Sequence, residues 1–395
     1  MSARLLLFTG KGGVGKTTLA AATSVALAAG GRKALVVSTD PAHSLGDAFG
    51  IALGSTATEI DAGLHAAQID PRALVDDTWR ELRGHLRTVL AGAGVDELDA
   101  EELTVLPGVE ELLALAEVQR LANGGPWDVV VVDCGPTAET LRLLALPEAV
   151  SSYLERLFPT HRRVVRGLLA GLAGAPSAER WDATADALGR LAESLDKLRG
   201  LLTSSSTSVR LVLTPERVVA AETRRTVTAL ALQGIRVDGV VANRLVPHPG
   251  EGRGPAATWL RTRRAEQEAV LATLDLGPVR TVEHRAGEPV GPAALLEVAD
   301  ALYQGADPLA GVGADGPLID VVRVGDEYEL RLAVAVGDSD LDLARVGDDL
   351  AVTVDGRRKL ISLPSLLRRC VVVGAELDDT GLAVRFRPDP DLWMR

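Results

Sequence analysis

Residues 10–18 read Gly10, Lys11, Gly12, Gly13, Val14, Gly15, Lys16, Thr17 and Thr18. The apolar run 4–8 precedes this stretch, and an alanine-rich run with helical character, 16–29, follows it. A strand, a glycine-rich turn and a helix in this order form the context of a phosphate-binding loop. Glycines let backbone N–H groups approach phosphate oxygens, and the helix N-terminus adds its positive end. We therefore expect all nine residues to bind the phosphates of a nucleotide.

Three side chains of this loop have separate expected roles. Lys16 should reach the β- and γ-phosphates, and the Thr17 hydroxyl should ligate Mg²⁺. Lys11 stands directly after the first glycine, which marks a deviant subclass of the loop, where this lysine reaches the nucleotide of a facing subunit. It would then stabilise the transition state as an arginine finger does, an effect of about 10³–10⁵ in rate. The alternative is an exposed loop lysine without a catalytic role.

Four further apolar runs are continuous rather than alternating, at 33–38, 128–132, 209–214 and 237–242. Continuous runs are typical of strands covered on both faces, and helical stretches lie between them. This order predicts an α/β P-loop NTPase fold with a doubly wound, mostly parallel sheet over residues 1–303.

Leucine-rich stripes at helical spacing predict helical insertions near 72–106 and 148–203, which would form a helical subdomain. Such stripes serve equally well as the core of that subdomain or as the lining of an apolar groove.

A glycine- and proline-rich stretch, 304–317, reads as a linker, after which the apolar period changes to two. Alternating residues surround Tyr328, Leu350 and Leu382, and Asp355-Gly356 is a hairpin signal. The pattern predicts a small antiparallel β-sandwich over residues 318–395.

Composition and net charge indicate which partners and which cellular compartment are expected for the protein. The formal net charge of −12 disfavours nucleic acid as a partner. The two cysteines, Cys134 and Cys370, build neither a disulfide scaffold nor a Cys-x-x-Cys metal set. We find no signal peptide and no apolar stretch of membrane-spanning length. These features predict a cytoplasmic protein without an integral membrane segment.

Further segments occur in a recognisable order with the loop. Residues 38–45 read Ser-Thr-Asp-Pro-Ala-His-Ser-Leu, and residues 131–137 read Val-Val-Asp-Cys-Gly-Pro-Thr. Pro-Glu-Arg at 215–217 and Val-Ala-Asn-Arg at 241–244 follow. Over about residues 1–300 the chain resembles the ArsA family, which includes the arsenite-pump ATPase subunit and the tail-anchored-protein targeting ATPases. The resemblance implies an ATPase that uses ATP and Mg²⁺.

The resemblance also implies roles for four residues outside the loop. Asp40 would be the switch I carboxylate that orients or activates the attacking water, although an Asp-Pro pair is also a natural helix cap. Asp133 would act on Mg²⁺ through water, and Asn243 would read adenine. Glu216 matches a nucleotide-contacting position, with an ordinary acid at a helix N-terminus as the alternative.

The last part of the chain resembles the α-crystallin domain of small heat-shock proteins. The residues that carry this resemblance are Tyr-Glu-Leu-Arg-Leu at 328–332, the stretch 341–350, and Asp-Gly-Arg-Arg-Lys at 355–359. The tail from Pro388 lacks the Ile-x-Ile motif that such chaperones use to build large assemblies.

These resemblances predict a homodimer that closes on ATP and handles a hydrophobic client, with a peripheral membrane partner left open. A second hypothesis is the ATPase of an arsenite efflux system, which the cysteine count disfavours because Cys134 is alone in the ATPase part. A third is a spatial regulator of the MinD or ParA type. A terminal amphipathic membrane helix or a basic DNA-binding face would favour it, and the sequence shows neither.

Overall fold

The computed structural model describes residues 3–40, 44–70, 109–135, 193, 196–274, 276, 279–310, 319–332, 341–354, 357–378 and 381–390. The predicted insertion at 72–106 lies outside these residues. Of the predicted insertion at 148–203, only 193 and 196–203 lie within them, and 196–202 is helical.

The larger sheet has eight strands, which are β1 (Arg4–Thr9), β2 (Ala34–Ser38), β3 (Thr58–Asp61), β4 (Leu64–Gln68), β5 (Val129–Asp133), β6 (Thr207–Leu213), β7 (Val237–Leu245) and β8 (Val279–Glu283). Their order in the sheet is β3-β4-β2-β5-β1-β6-β7-β8. Every neighbouring pair is parallel except β3 and β4, which confirms the predicted mostly parallel sheet.

The central strands are covered on both faces. All residues of β2, β5 and β6 are buried, and Val129–Val132 have no exposed surface. This burial explains why their sequences are continuous apolar runs rather than alternating ones.

Helices connect the parallel strands and pack on the sheet. The first helix, α1, follows β1 directly, and its alanines at positions 20–22 are fully buried, which allows close packing. The helices are α1 (Lys16–Ala29), α2 (Ser44–Phe49), α3 (Val109–Gly124), α4 (Arg217–Leu232), α5 (Pro255–Ala272) and α6 (Pro292–Tyr303). Helix α1 packs against α6, so the element after the loop is held by the last helix of this domain.

The predicted linker begins as a fixed segment. Arg32 donates two hydrogen bonds to the Asp307 carboxylate, at 2.7 and 2.6 Å. This contact lowers the pKa of Asp307 to about 2. The carbonyls of Pro308 and Ala310 accept hydrogen bonds from Arg210 and Arg280. The part of the linker up to residue 310 is therefore anchored on the sheet domain, and 311–318 lies outside the described residues.

The C-terminal part forms two antiparallel sheets, β14-β15-β10-β9 and β11-β12-β13. Val354 pairs with Arg357, so two residues separate β12 from β13, as predicted for the hairpin at Asp355-Gly356. Its elements are β9 (Ile319–Val324), β10 (Glu327–Leu332), β11 (Leu341–Val346), β12 (Asp349–Val354), β13 (Arg357–Ser362), the short helix α7 (Ser365–Arg368), β14 (Cys370–Asp378) and β15 (Gly381–Pro388).

The two antiparallel sheets share one apolar core. Leu330 and Phe386 of one sheet and Leu350 and Val352 of the other belong to this core. The core also includes Ala231 and Leu232, the last two residues of α4. The end of α4 therefore packs into the core of the β domain.

Arg210 is the largest fully buried side chain of the described residues. Its guanidinium lies 2.9 Å from the Asp238 carboxylate and donates to the Tyr303 hydroxyl at 2.8 Å. Tyr303 also shares a 2.6 Å hydrogen bond with Thr23 of α1. Burial of a charge requires such partners, because an unpaired ion in the interior is costly.

We predict that Asp238→Ala lowers the free energy of unfolding by about 3–5 kcal/mol, because it leaves the Arg210 charge buried and unpaired. Chemical denaturation of the purified protein measures this change. The matched control is Glu297→Ala, which breaks the exposed ion pair with Arg285 and should cost less than about 1 kcal/mol. Equal losses in the two variants would contradict the prediction.

Candidate nucleotide-binding site

The loop between β1 and α1 adopts a conformation that requires glycine at two positions. Gly10 and Gly15 have φ values of 149° and 92°, which side chains rarely adopt. A Cβ on Gly10 would overlap the carbonyl oxygen of Val212, and one on Gly15 would overlap the side-chain amide of Asn243. The glycine pattern therefore reflects both backbone conformation and close packing on β6 and β7.

The loop ends at the N-terminus of α1, and no acidic residue lies in the first turn of this helix. Free N–H groups and the helix dipole favour an anion at this position. Lys16 is 6% exposed, and its Nζ donates to the carbonyl of Lys11 at 3.3 Å. The amine therefore lies against the loop backbone, where phosphate oxygens would bind.

Asp133 ends β5 and forms the buried centre of the site. Its Oδ2 accepts hydrogen bonds from the hydroxyls of Thr17 at 2.7 Å and Ser38 at 3.0 Å. The hydroxyl of Ser44 lies 3.0 Å from that of Thr17. The sequence predicted roles for Thr17 and Asp133 but none for Ser38 and Ser44. The two serines are recognised as part of the site only from their contacts in the folded chain.

Burial raises the pKa of the Asp133 carboxyl to about 6. The hydrogen bonds from Thr17 and Ser38 and the charge of Lys16 oppose this rise, whereas the charge of Asp40 adds to it. The second oxygen, Oδ1, is buried and has no hydrogen-bond partner among the residues that the structure describes.

The oxygen atoms around Asp133 fit a magnesium ion. A carboxylate oxygen without a partner and two hydroxyls 3.0 Å apart are hard ligands of the kind that Mg²⁺ prefers. Within the described ranges no group of three or more His, Cys, Asp or Glu side chains could hold a metal ion. A site here would therefore depend on hydroxyls and on phosphate oxygens, as is usual for Mg²⁺ bound with a nucleotide.

Asp40 follows β2, and its backbone is held from both sides. Its N–H donates to the Ser38 hydroxyl at 3.2 Å, and its carbonyl accepts from Gln68 Nε2 at 2.9 Å. The other three residues of the Asp-Pro-Ala-His motif, 41–43, lie outside the described residues. The charge of Asp40 contributes to the raised pKa of Asp133, so the two predicted carboxylates lie near each other.

Lys11 lies on the surface of the loop. Its Nζ is 3.6 Å from Glu222 Oε2 of α4, and both side chains are nearly half exposed. Lys11 and Lys16 therefore differ in environment although they are five residues apart: Lys16 is buried in the loop, and Lys11 is accessible from outside the chain.

A cleft of about 320 Å³ adjoins the loop on the side of β7. Asn243 lines it with Gly15 and Thr18, and residues 282–289 form the opposite wall. The Asn243 amide donates to the Val14 carbonyl at 2.8 Å and accepts from the N–H of Arg244. Arg244 has a φ of 58°, in the left-handed region. The predicted adenine-reading residue thus lies in a cleft that continues from the phosphate loop.

Glu216 does not line this cleft. It precedes α4, and its carboxylate lies 3.3 Å from Arg263 of α5, beside a separate surface cleft. Its predicted contact with nucleotide therefore requires a neighbouring subunit or a movement of α4, and it stays a prediction.

A glycine loop between a parallel strand and a helix, a buried acid at the end of a neighbouring strand, and an additional lysine define a P-loop nucleotide-binding protein of the deviant-lysine class. Residues 3–304 match the family described as Anion-transporting ATPase, ArsA, and residues 325–386 match the HSP20-like domain found in ArsA. The chain belongs to the ArsA ATPase family, as its motifs predicted.

Three similar proteins cover between 62% and 99% of the chain. A Mycobacterium tuberculosis protein, "Protein Rv2184c", is 42% identical over 99% of this chain and 97% of its own length. A Chlorobaculum tepidum protein named "Putative arsenical pump-driving ATPase" is 35% identical over 97% of this chain and 96% of its own length. "ATPase get3" of Aspergillus terreus is 29% identical over 62% of this chain and 73% of its own length. Among the described residues, no helix has the length and apolar character needed to cross a bilayer.

Because the pKa of Asp133 is raised, we predict that the free energy of unfolding depends on pH when neither nucleotide nor Mg²⁺ is present. The folded protein holds this proton more tightly than the unfolded chain, whose carboxyl has a pKa near 3.8. The stability from Asp133 is therefore fully present below about pH 4 and is lost as pH rises through about 6. We expect Asp133→Asn to gain stability relative to the unmodified protein over this window, by up to about 3 kcal/mol.

Denaturant unfolding of both proteins at several pH values between 3.5 and about 8 measures this difference. The side-chain oxygen of an asparagine can still accept from Thr17 and Ser38, so the variant keeps those contacts. A difference in stability that does not change with pH would contradict the prediction.

Proposed function

We propose that this chain is a Mg²⁺-dependent ATPase that works as a homodimer, closing on ATP and opening after hydrolysis to bind and release a hydrophobic client. The observation that carries the ATPase part is the convergence of Lys16, Thr17, Asp40 and Asp133 at the carboxyl ends of β1, β2 and β5. Membership of the ArsA ATPase family supports the same activity.

The phosphates of ATP bind to the backbone N–H groups of the loop. Lys16 leaves its contact with the Lys11 carbonyl and neutralises the β- and γ-phosphates. Thr17 and Asp133 would hold Mg²⁺, which when bound would offset the charge of the phosphates. Asn243 reads the adenine from the adjoining cleft, and Glu216 contacts nucleotide in the assembled dimer.

Asp40 acts on the water that attacks the γ-phosphorus. It orients the water and takes up its proton as the new P–O bond forms and the bond to the β-phosphate oxygen breaks. The products are ADP and inorganic phosphate. The proximity of Asp40 to Asp133, whose pKa the Asp40 charge raises, supports this role.

Lys11 supplies the argument for a dimer. The side chain is exposed and paired only loosely with Glu222, so a facing subunit can reach it. We propose that Lys11 inserts into the site of the facing subunit and stabilises the charge that develops there. Hydrolysis then depends on dimer closure, so each cycle of ATP hydrolysis is coupled to closing and opening of the dimer.

The client is proposed from the resemblance to targeting ATPases and from the HSP20-like domain at residues 325–386. Most of the leucine stripes that would line a groove, within 72–106 and 148–203, lie outside the described residues. Leu198 and Leu202, which lie within them, are buried in the core of the sheet domain. A client helix or peptide that crosslinks to these segments only in the ATP-bound dimer would support this part of the proposal. Absence of any such crosslink would oppose it.

An arsenical pump role is the second candidate, because one relative carries that name. A three-thiolate metalloid site cannot form within one chain that has two cysteines. Burial also raises the pKa of Cys134 to about 12, which keeps it protonated. Stimulation of ATP hydrolysis by arsenite would favour this candidate over the first.

We predict that Asp40→Asn binds ATP with nearly unchanged affinity and loses at least about 100-fold in kcat, because the amide cannot accept the proton. Binding of a fluorescent ATP analogue and release of phosphate measure the two quantities. Lys16→Ala is the comparison, and it should lose nucleotide binding itself. Turnover retained by Asp40→Asn would remove Asp40 from catalysis.

We predict that Lys11→Ala impairs hydrolysis and ATP-driven dimer formation together, by about 10³-fold in kcat. Phosphate release and sedimentation velocity with ATP check the two effects. Lys33→Ala removes another exposed lysine and should change neither. An active monomer at high dilution would contradict the role of Lys11 in a facing subunit.

A further inference from the structure

We infer that Ser38 and Gln68 are positioning residues for Asp40, and that together they fix the peptide groups on both sides of this residue. The inference rests on the proposed role of Asp40 in ATP hydrolysis and extends it to two side chains outside the nucleotide-binding motif. Three observations carry it: the register of the strands, the partners of each side chain, and the burial of both.

The register places the residues in one row. In the parallel sheet Ser38 pairs with Asp133 of β5 on one side and with Gln68 of β4 on the other. All three end their strands, so their side chains meet at the carboxyl edge of the sheet, where active sites of open α/β sheets form.

The Ser38 hydroxyl both donates and accepts a hydrogen bond. It donates to Asp133 Oδ2 at 3.0 Å and accepts from the Asp40 N–H at 3.2 Å. A hydroxyl has one proton to donate, so the bond to Asp133 determines which lone pairs face Asp40. One buried side chain thereby connects the acid near the Mg²⁺ position with the backbone of the proposed catalytic carboxylate.

Gln68 holds the other side of Asp40. Its Nε2 donates to the Asp40 carbonyl at 2.9 Å. The side chain is 4% exposed, and its Oε1 has no hydrogen-bond partner among the described residues. A buried amide oxygen without a partner is costly, which argues that this side chain is retained for its position rather than for stability.

Another buried serine hydroxyl of this domain is used differently. Ser24 of α1 donates to the carbonyl of Ala21, three residues earlier in its own helix, at 2.7 Å. That bond satisfies the hydroxyl within the helix. Ser38 and Gln68 instead join three different strands to one loop residue, so the backbone position of Asp40 is set by the sheet.

The consequence for the reaction is geometric. A carboxylate that orients an attacking water must be held within a few tenths of an ångström, because small displacements cost large factors in rate. Loss of either contact should therefore lower kcat and leave nucleotide affinity nearly unchanged, since neither side chain belongs to the phosphate loop or to the cleft beside Asn243.

The test compares Gln68→Leu and Ser38→Ala in the full-length protein, with Ser24→Ala as the matched control for loss of a buried serine hydroxyl. We expect kcat to fall about 10- to 100-fold in the first two variants, with the dissociation constant of a fluorescent ATP analogue within about threefold of the unmodified protein. Gln68→Leu isolates the contact to Asp40, because Gln68 donates no hydrogen bond to the Asp133 carboxylate.

A second measurement does not depend on activity. Hydrogen exchange of the peptide around Asp40 in the nucleotide-free protein should become faster in Ser38→Ala, which removes the acceptor of that N–H, and should stay unchanged in Ser24→Ala. Unchanged exchange in Ser38→Ala would overturn the inference even if the variant proved less stable.

A double-mutant cycle separates this inference from the proposed function. If Gln68 acts through Asp40, Gln68→Leu should cause no further loss of kcat in an Asp40→Asn background. An equal loss in both backgrounds would show a general structural effect and overturn the inference. Full activity of Asp40→Asn alone would instead overturn the proposed role of Asp40, and the positioning role with it.

Discussion

The nucleotide site depends on the burial of one carboxylate. Asp133 lies at the end of the central strand β5, and its cost of burial is offset by the hydroxyls of Thr17 and Ser38 on one oxygen. These bonds tie the first turn of α1 and the end of β2 to β5. The second oxygen, without such a partner, gives the site its capacity for a cation. The burial of one acid thus determines how the phosphate loop, the end of β2 and β5 are held together.

The backbone of the loop imposes a second constraint. Gly10 and Gly15 lie so close to β6 and β7 that any side chain would collide with Val212 or Asn243. The cleft beside Asn243 and the phosphate loop are therefore packed against each other. Pre-formed sites of this kind bind without a large ordering cost, which would leave binding energy available for closure of the proposed dimer.

Two connections join the nucleotide domain to the β domain. The start of the linker is anchored through Asp307 and Arg32, and the end of α4 packs into the core of the β domain. Helix α4 also carries Glu222, the partner of Lys11. The same helix thus contacts the lysine proposed to reach a facing subunit and the domain proposed to assist a client.

The sequence by itself determined the fold class, the phosphate loop and the family. Those features are local: continuous apolar runs, glycine spacing and short motifs reflect backbone geometry within a few residues. It also singled out Asp133 and Asn243, because each directly follows a continuous apolar run in a recognisable motif.

Only the tertiary structure showed the positions of Ser38, Ser44 and Gln68 around the site and the buried pair Arg210–Asp238. Ordinary serines, a glutamine and an arginine become significant when strands far apart in sequence are placed side by side in register. The structure also showed that the first part of the predicted linker is fixed and that Glu216 lies away from the cleft of its own chain. These facts depend on contacts between distant segments, which no local pattern contains.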